Sequence, residues 1–137
     1  MTGTGTTGTL NGEANLQFNG SVLTVTGTVC ATSIVETSAQ KYKTDIQDLT
    51  ETKYLNCLRP VSFKWKENGS EDIGFIAEEV NQFYPTLVAK SGEDEPTGVK
   101  YTKIVPLLVK KIQEQDKIIS DLDKKLNDIY NKINKDT

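Results

Sequence analysis

The stretch Ser38-Ala-Gln-Lys-Tyr-Lys43 places one hydroxyl and two primary amines within six residues. A serine hydroxyl is a poor nucleophile until a base takes its proton. With no histidine anywhere in the chain, the remaining candidate base is a lysine desolvated enough to be partly neutral. Solvated lysines keep their protons near neutral pH. Two readings stay open on these residues alone: a serine–lysine dyad, or a solvated linker carrying ordinary surface lysines.

Other chemistries find less support. Without histidine, a His-based triad or a zinc site within the chain is effectively excluded, and Cys30 and Cys57 stand alone without metal-ligand spacing. Neither a metal nor another cofactor is expected. A net charge of -3, from 16 basic and 19 acidic residues, sets up no field that would draw in nucleic acid. No apolar run reaches membrane-spanning length and no basic-then-apolar leader opens the sequence, so a soluble, intracellularly made protein without membrane insertion is expected.

The elements around the candidate dyad follow from composition and period. Met1 to Leu10 is nearly all Thr and Gly, too poor in apolar surface to order itself, and reads as disordered or as the end of a longer fibrous part. In Asn15 to Val29, Leu16 and Phe18 alternate with polar residues, Asn19-Gly20 offers a tight turn, and Val22 to Val29 is rich in β-branched residues. This predicts a hairpin or two short strands. Composition changes near Thr37, the first basic residue being Lys41.

Beyond the boundary, Ile46, Leu49, Tyr54, Leu55 and Leu58 suit a short helix or pair of turns ending before Arg59-Pro60. Val61, Phe63 and Trp65 share one face of a strand, Asn68-Gly69-Ser70 turns, and 73–77 returns. The segment 78–83 predicts one or two helical turns stopped by Tyr84-Pro85. A short strand at 87–89, an acidic loop at 91–98 and a last strand at 99–101 lead into the terminal helix. Phe63, Trp65, Ile73, Phe75 and Ile76 read as core, with Gly74 allowing close approach between them.

The run from Tyr101 to Lys135 contains no glycine. With Val105, Ile112, Ile119, Leu126 and Ile133 at a, the d positions are Leu108, Gln115, Leu122 and Ile129, so one narrow apolar stripe persists for four heptads. Ile at most a positions with Leu, Ile and one Gln at d departs from the parallel-dimer pattern and favours three strands over two. An amphipathic helix lying on its own domain is the alternative. Pro106 requires the helix to start at about residue 104 or 105, which makes Val105 its entrance. The Gln115 layer and the polar end at Asp136 are where such a seam would be loosest.

Taken in order, Ser38-Ala-Gln-Lys-Tyr-Lys-Thr-Asp-Ile46, Leu58-Arg-Pro-Val-Ser-Phe-Lys-Trp-Lys66, Ile73-Gly-Phe-Ile-Ala-Glu-Glu-Val80, Tyr84-Pro-Thr-Leu-Val88 and Val99-Lys-Tyr101 precede the heptad helix. This ordered set resembles the endosialidase-type intramolecular chaperone domain, peptidase family S74, which closes many bacteriophage tail spikes, tail fibres and neck appendages and occurs in the myelin regulatory factors. The likeness runs from Ser38 to about Leu122, and the set is more specific than any one block.

The resemblance implies an α+β fold: a small β-rich body with short helices and a long C-terminal helix forming a parallel trimeric coiled coil. Residues 1–37 would be the end of an upstream β-structured fibre or spike, 38–103 the chaperone and autoprotease body, and 104–137 the trimerising helix. Such a domain assembles with two identical chains into a homotrimer, helps the upstream client fold, and then cuts itself free. Ser38 matches the nucleophile, Lys43 its general base, and Thr37-Ser38 the scissile bond. Lys41 matches a basic position, usually arginine, of less defined supporting role. Ala39 stands where the family usually has a small polar or acidic residue, and Glu78 where it has glutamine.

Assembly is expected in the host cytoplasm, with the fibre part kept in the virion and the chaperone released. The seam would use Leu108, Ile112, Gln115, Ile119, Leu122, Leu126, Ile129 and Ile133. Two rivals are a non-cleaving trimerisation and tip domain retained in the virion, and an appendage binding a host-surface ligand through Tyr42, Tyr54, Tyr84 and Trp65.

Overall fold

The computed structural model describes residues 15–50 and 52–135; the Thr/Gly-rich start and Asp136 lie outside the described residues. The chain divides into two compact units between Asp45 and Ile46. Together they form an α+β protein with antiparallel hairpins, short helices and one long C-terminal helix.

In the first unit, β1 (Leu16–Phe18) pairs antiparallel with β2 (Leu23–Val25), with Gln17 opposite Thr24. The Asn19-Gly20 turn sets this register. The Asn19 carboxamide oxygen accepts from the backbone N–H groups of Ser21 and Val22 at 3.1 and 2.8 Å, and Gly20 takes a φ of 95° that a side chain would oppose. Phe18, Val22 and Leu23 stay exposed, and the paired Leu16 and Val25 are half-buried. A 3-10 turn follows at Gln40–Tyr42.

The second unit is built on Val80, Tyr84, Leu87, Val88, Ile104 and Leu107, with Leu55, Leu58, Phe75 and Val99 packed against them. The segment from Ile46 is mostly without regular structure, and of the expected short helix or pair of turns the turns form, at 53–54 and as a 3-10 turn at Leu55–Cys57. β3 (Val61–Lys64) pairs with β4 (Glu71–Gly74) around Asn68-Gly69-Ser70, where Gly69 has a φ of 72°. The returning strand is shorter than its apolar run predicts. It ends at Gly74 because the Phe75 N–H donates to the Tyr101 hydroxyl at 3.0 Å, and a Cβ on Gly74 would overlap that same oxygen.

α1 (Ala77–Phe83) carries Glu78 and Glu79 in its first turn, where carboxylates complement the helix dipole, and stops before Pro85. Leu87 belongs to the following 3-10 turn, so β5 starts one residue later than expected, at Val88–Ser91. The segment expected as an acidic loop is largely strand. β6 (Glu95–Val99) pairs with β5, and only 92–94 turn, with Gly92 and Asp94 at φ values of 50° and 74°. An irregularity between Ala89 and Lys90 accommodates Pro96, which cannot donate to the ladder.

α2 spans Ile104–Lys135. Pro106 lies in its first turn, where N–H groups have no intrahelical partner to lose. Ile104 and Leu107 are buried in the core, whereas every residue from Gln115 to Asn134 is exposed. At about 1.5 Å per residue, more than half the helix runs clear of its own body. The apolar seam positions from Leu108 to Ile133 are 47–65% exposed. From Gln115 onward the helix thus does not lie on its own domain.

Candidate functional site

The turn after the compositional boundary brings Ser38 and Lys43 together. Ala39 is extended, with φ -64° and ψ 142°, after which Tyr42 N–H donates to the Ala39 carbonyl at 3.1 Å and Lys43 N–H to the Gln40 carbonyl at 2.9 Å. This single 3-10 turn reverses the chain. The Lys43 ammonium then donates to the Ser38 hydroxyl oxygen at 2.8 Å.

Both side chains are exposed, and Thr37 lies in exposed chain without regular structure. In the Lys43–Ser38 contact the lysine Nζ is the donor and the serine Oγ the acceptor. For the same pair to work as base and nucleophile, Lys43 must first become a neutral amine and accept from the hydroxyl, which water around an exposed ammonium opposes. Lys41 points elsewhere, its ammonium 4.9 Å from the centre of the Tyr42 ring. Asp45, two residues after Lys43, holds a φ of 50° and accepts from the Thr44 hydroxyl at 3.2 Å.

In the second unit, contacts tie together stretches far apart in sequence. The Arg59 guanidinium forks onto the Glu79 carboxylate, with Nε 3.1 Å from Oε2 and the second contact closer still. The hydrogen bonds hold Glu79 below the usual carboxylate range and Arg59 above its own. Tyr101 stacks on Phe75 with ring centres 6.0 Å apart. These partners were invisible to local pattern. Their only signal was that Arg59, Phe75, Glu79 and Tyr101 stood in separate blocks of one ordered set.

The aromatic residues divide by role. Tyr84 is buried in the core, and Tyr54, itself exposed, packs against Phe83 and Tyr84 with ring centres 5.9 and 6.3 Å away. Trp65 is half-exposed on the rim of a groove of about 420 Å³ shared with Phe63, Ile73, Phe75 and Tyr101, its indole N–H donating to Asp72 at 3.1 Å. Cys30 and Cys57 are free and exposed. Among the described residues, no helix is long and apolar enough to cross a membrane.

The seam residues Leu108, Ile112, Gln115, Ile119, Leu122, Leu126, Ile129 and Ile133 share one side of α2 by heptad position. Over residues 38–89 the chain matches the family model described as Peptidase_S74, chaperone of endosialidase. No curated protein matches the chain.

Proposed function

We propose, from the match of residues 38–89 to the chaperone-of-endosialidase family model, a self-releasing intramolecular chaperone. Three chains join through parallel α2 helices and assist the folding of an upstream phage fibre, spike or appendage. Each chain then cuts itself between Thr37 and Ser38. The observation that carries this reading is the 2.8 Å contact between the Lys43 amine and the Ser38 hydroxyl. Residues 1–37 are the end of the client, 38–103 the working body and 104–137 the trimerising helix. Folding and cutting take place in the host cytoplasm, and the client remains in the virion.

The reaction runs on these two side chains. Neutral Lys43 takes the proton of Ser38 Oγ, Oγ bonds to the Thr37 carbonyl carbon, and the lysine returns the proton to Ser38 nitrogen as the C–N bond breaks. Thr37 is left as an ester on Ser38. Water then attacks that carbonyl, Oγ leaves and recovers a proton, and Thr37 departs as a carboxylate.

Assembly supplies what one chain lacks. Lys43 is exposed in the single chain, and packing by neighbouring chains would strip its water and favour the neutral amine. A cut that waits for packing reports completed folding and makes release irreversible. The apolar stripe on the free part of α2, 55–65% exposed, supports the assembly step.

Incubating purified protein and weighing the products tests the proposal. A fragment beginning at Ser38 is expected, and it should be absent from Ser38→Ala and Lys43→Ala proteins. An unchanged mass in a well-folded trimer would instead establish the second reading, a tip domain that stays attached. That reading draws on the exposed, donating ammonium of Lys43.

A further inference from the structure

We propose that the chain end created by the cut is itself an acyl acceptor, which takes an acyl group from an ester or thioester onto Ser38 Oγ and passes it to its own α-nitrogen. The inference rests on the proposed cut at Thr37-Ser38, because only then does Ser38 carry a free amine. Once it does, three groups stand together. The hydroxyl oxygen and the α-nitrogen are separated by three covalent bonds, and the Lys43 amine is 2.8 Å from that oxygen. The turn that holds Lys43 there closes through Ala39, Gln40, Tyr42 and Lys43, all on the C-terminal side of the scissile bond, so it needs nothing from the departing segment.

The balance of the two steps is closed. Ser38 Oγ attacks the donor carbonyl while its proton passes through Lys43 to the leaving alcohol or thiol, forming an ester on Ser38. The neutral α-amine then attacks that carbonyl through a five-membered ring, the C–Oγ bond breaks, and the proton lost by nitrogen returns to Oγ. An amide on Ser38 and a free hydroxyl result. No oxidant, metal or further reactant is needed. This is the cutting reaction run backwards from its ester, so a site that stabilises one direction stabilises the other. Thr37 cannot re-enter, since it leaves as an unactivated carboxylate.

The exposed Ser38 is open to a donor, Lys43 takes the neutral form in the packed assembly as it does for the cut, and an amine-terminal residue serving its own hydroxyl is an established way to run acyl transfer. The acceptor would be spent after one turnover, because the amide it forms is stable.

The experiment starts from the full chain allowed to cut itself. The fragment beginning at Ser38 is incubated with p-nitrophenyl acetate, folded and in urea, and peptide mapping locates the acetyl group, with lysine ε-amines as internal standards. Acetyl on the Ser38 α-nitrogen is expected to form at least about a hundredfold faster in the folded fragment, the lower end for a positioned base. Equal rates in the two states, or acetate turned over with no α-acetylation, would overturn the acceptor while leaving the cut intact. A chain that does not cut overturns both.

Discussion

The Thr52 hydroxyl donates a 2.5 Å hydrogen bond to the Glu114 carboxylate, 62 residues away, and Thr52 is only 2% exposed. The bond fastens the irregular segment that opens the second unit to α2, one residue before Gln115 begins the free part of the helix. Removing the hydroxyl leaves a half-buried carboxylate without its partner, which costs about 1–3 kcal/mol. Thr52→Val should therefore lower stability by that amount in urea unfolding at fixed protein concentration, and Glu114→Gln by less. Parent-like midpoints in both variants would remove the bond from the account.

The two lysines of the turn should separate cleanly. Lys43→Arg keeps a cation near Ser38 but cannot become a neutral base, so no Ser38 fragment should appear by mass. Lys41 rests on the Tyr42 ring, so Lys41→Ala should slow the cut by less than about tenfold, under the range for losing a general base. A Lys41 variant as inert as Lys43→Arg would move the base assignment.

The seam and the cut are expected to fail together. Ile119 and Leu122 are 62% and 59% exposed, so Ile119→Asp with Leu122→Asp should leave the body folded, abolish the trimer in sedimentation, and slow the cut. Monomers cutting at the parent rate would sink the coupling. Gln115→Leu should raise the melting temperature while admitting other oligomer sizes, since a polar core layer trades stability for register.

The Arg59–Glu79 pair sets an acid limb. Its hydrogen bonds lower the folded-state pKa of Glu79, so the group's stabilisation is fully present above the unfolded carboxylate value and fades as pH falls through the folded one. Glu79→Gln should be less stable than the parent at neutral pH, with the gap closing below about pH 4, the ordinary glutamate range. The pair is solvent-accessible, so salt should narrow the gap too. A gap unchanged from pH 7 to pH 3 would deny the pair this role.

Local chemistry made much of the chain legible before any fold was known. Asn19-Gly20 announces its hairpin because few residues accept a positive φ, and the 78–83 helix announces its end because Pro85 cannot continue it. The seam from Leu108 to Ile133 is readable because helical rotation repeats within a few residues. Ser38 and Lys43 could be singled out as chemistry-bearing types at close spacing, though spacing alone favoured a solvated linker.

Tertiary structure decided the rest, wherever a partner outside the local window sets the outcome. Pro96 and Gly98 read as loop residues, yet β5 offers a ladder that makes 95–99 a strand. Gly74 ends its strand because of a phenol 27 residues ahead, and Thr52 is buried because Glu114 on α2 receives its hydroxyl. Even the 2.8 Å approach of Lys43 to Ser38 depends on a turn whose bonds are backbone bonds, available to almost any sequence. Composition and period report what a residue prefers by itself. Only the folded chain decides which donor meets which acceptor.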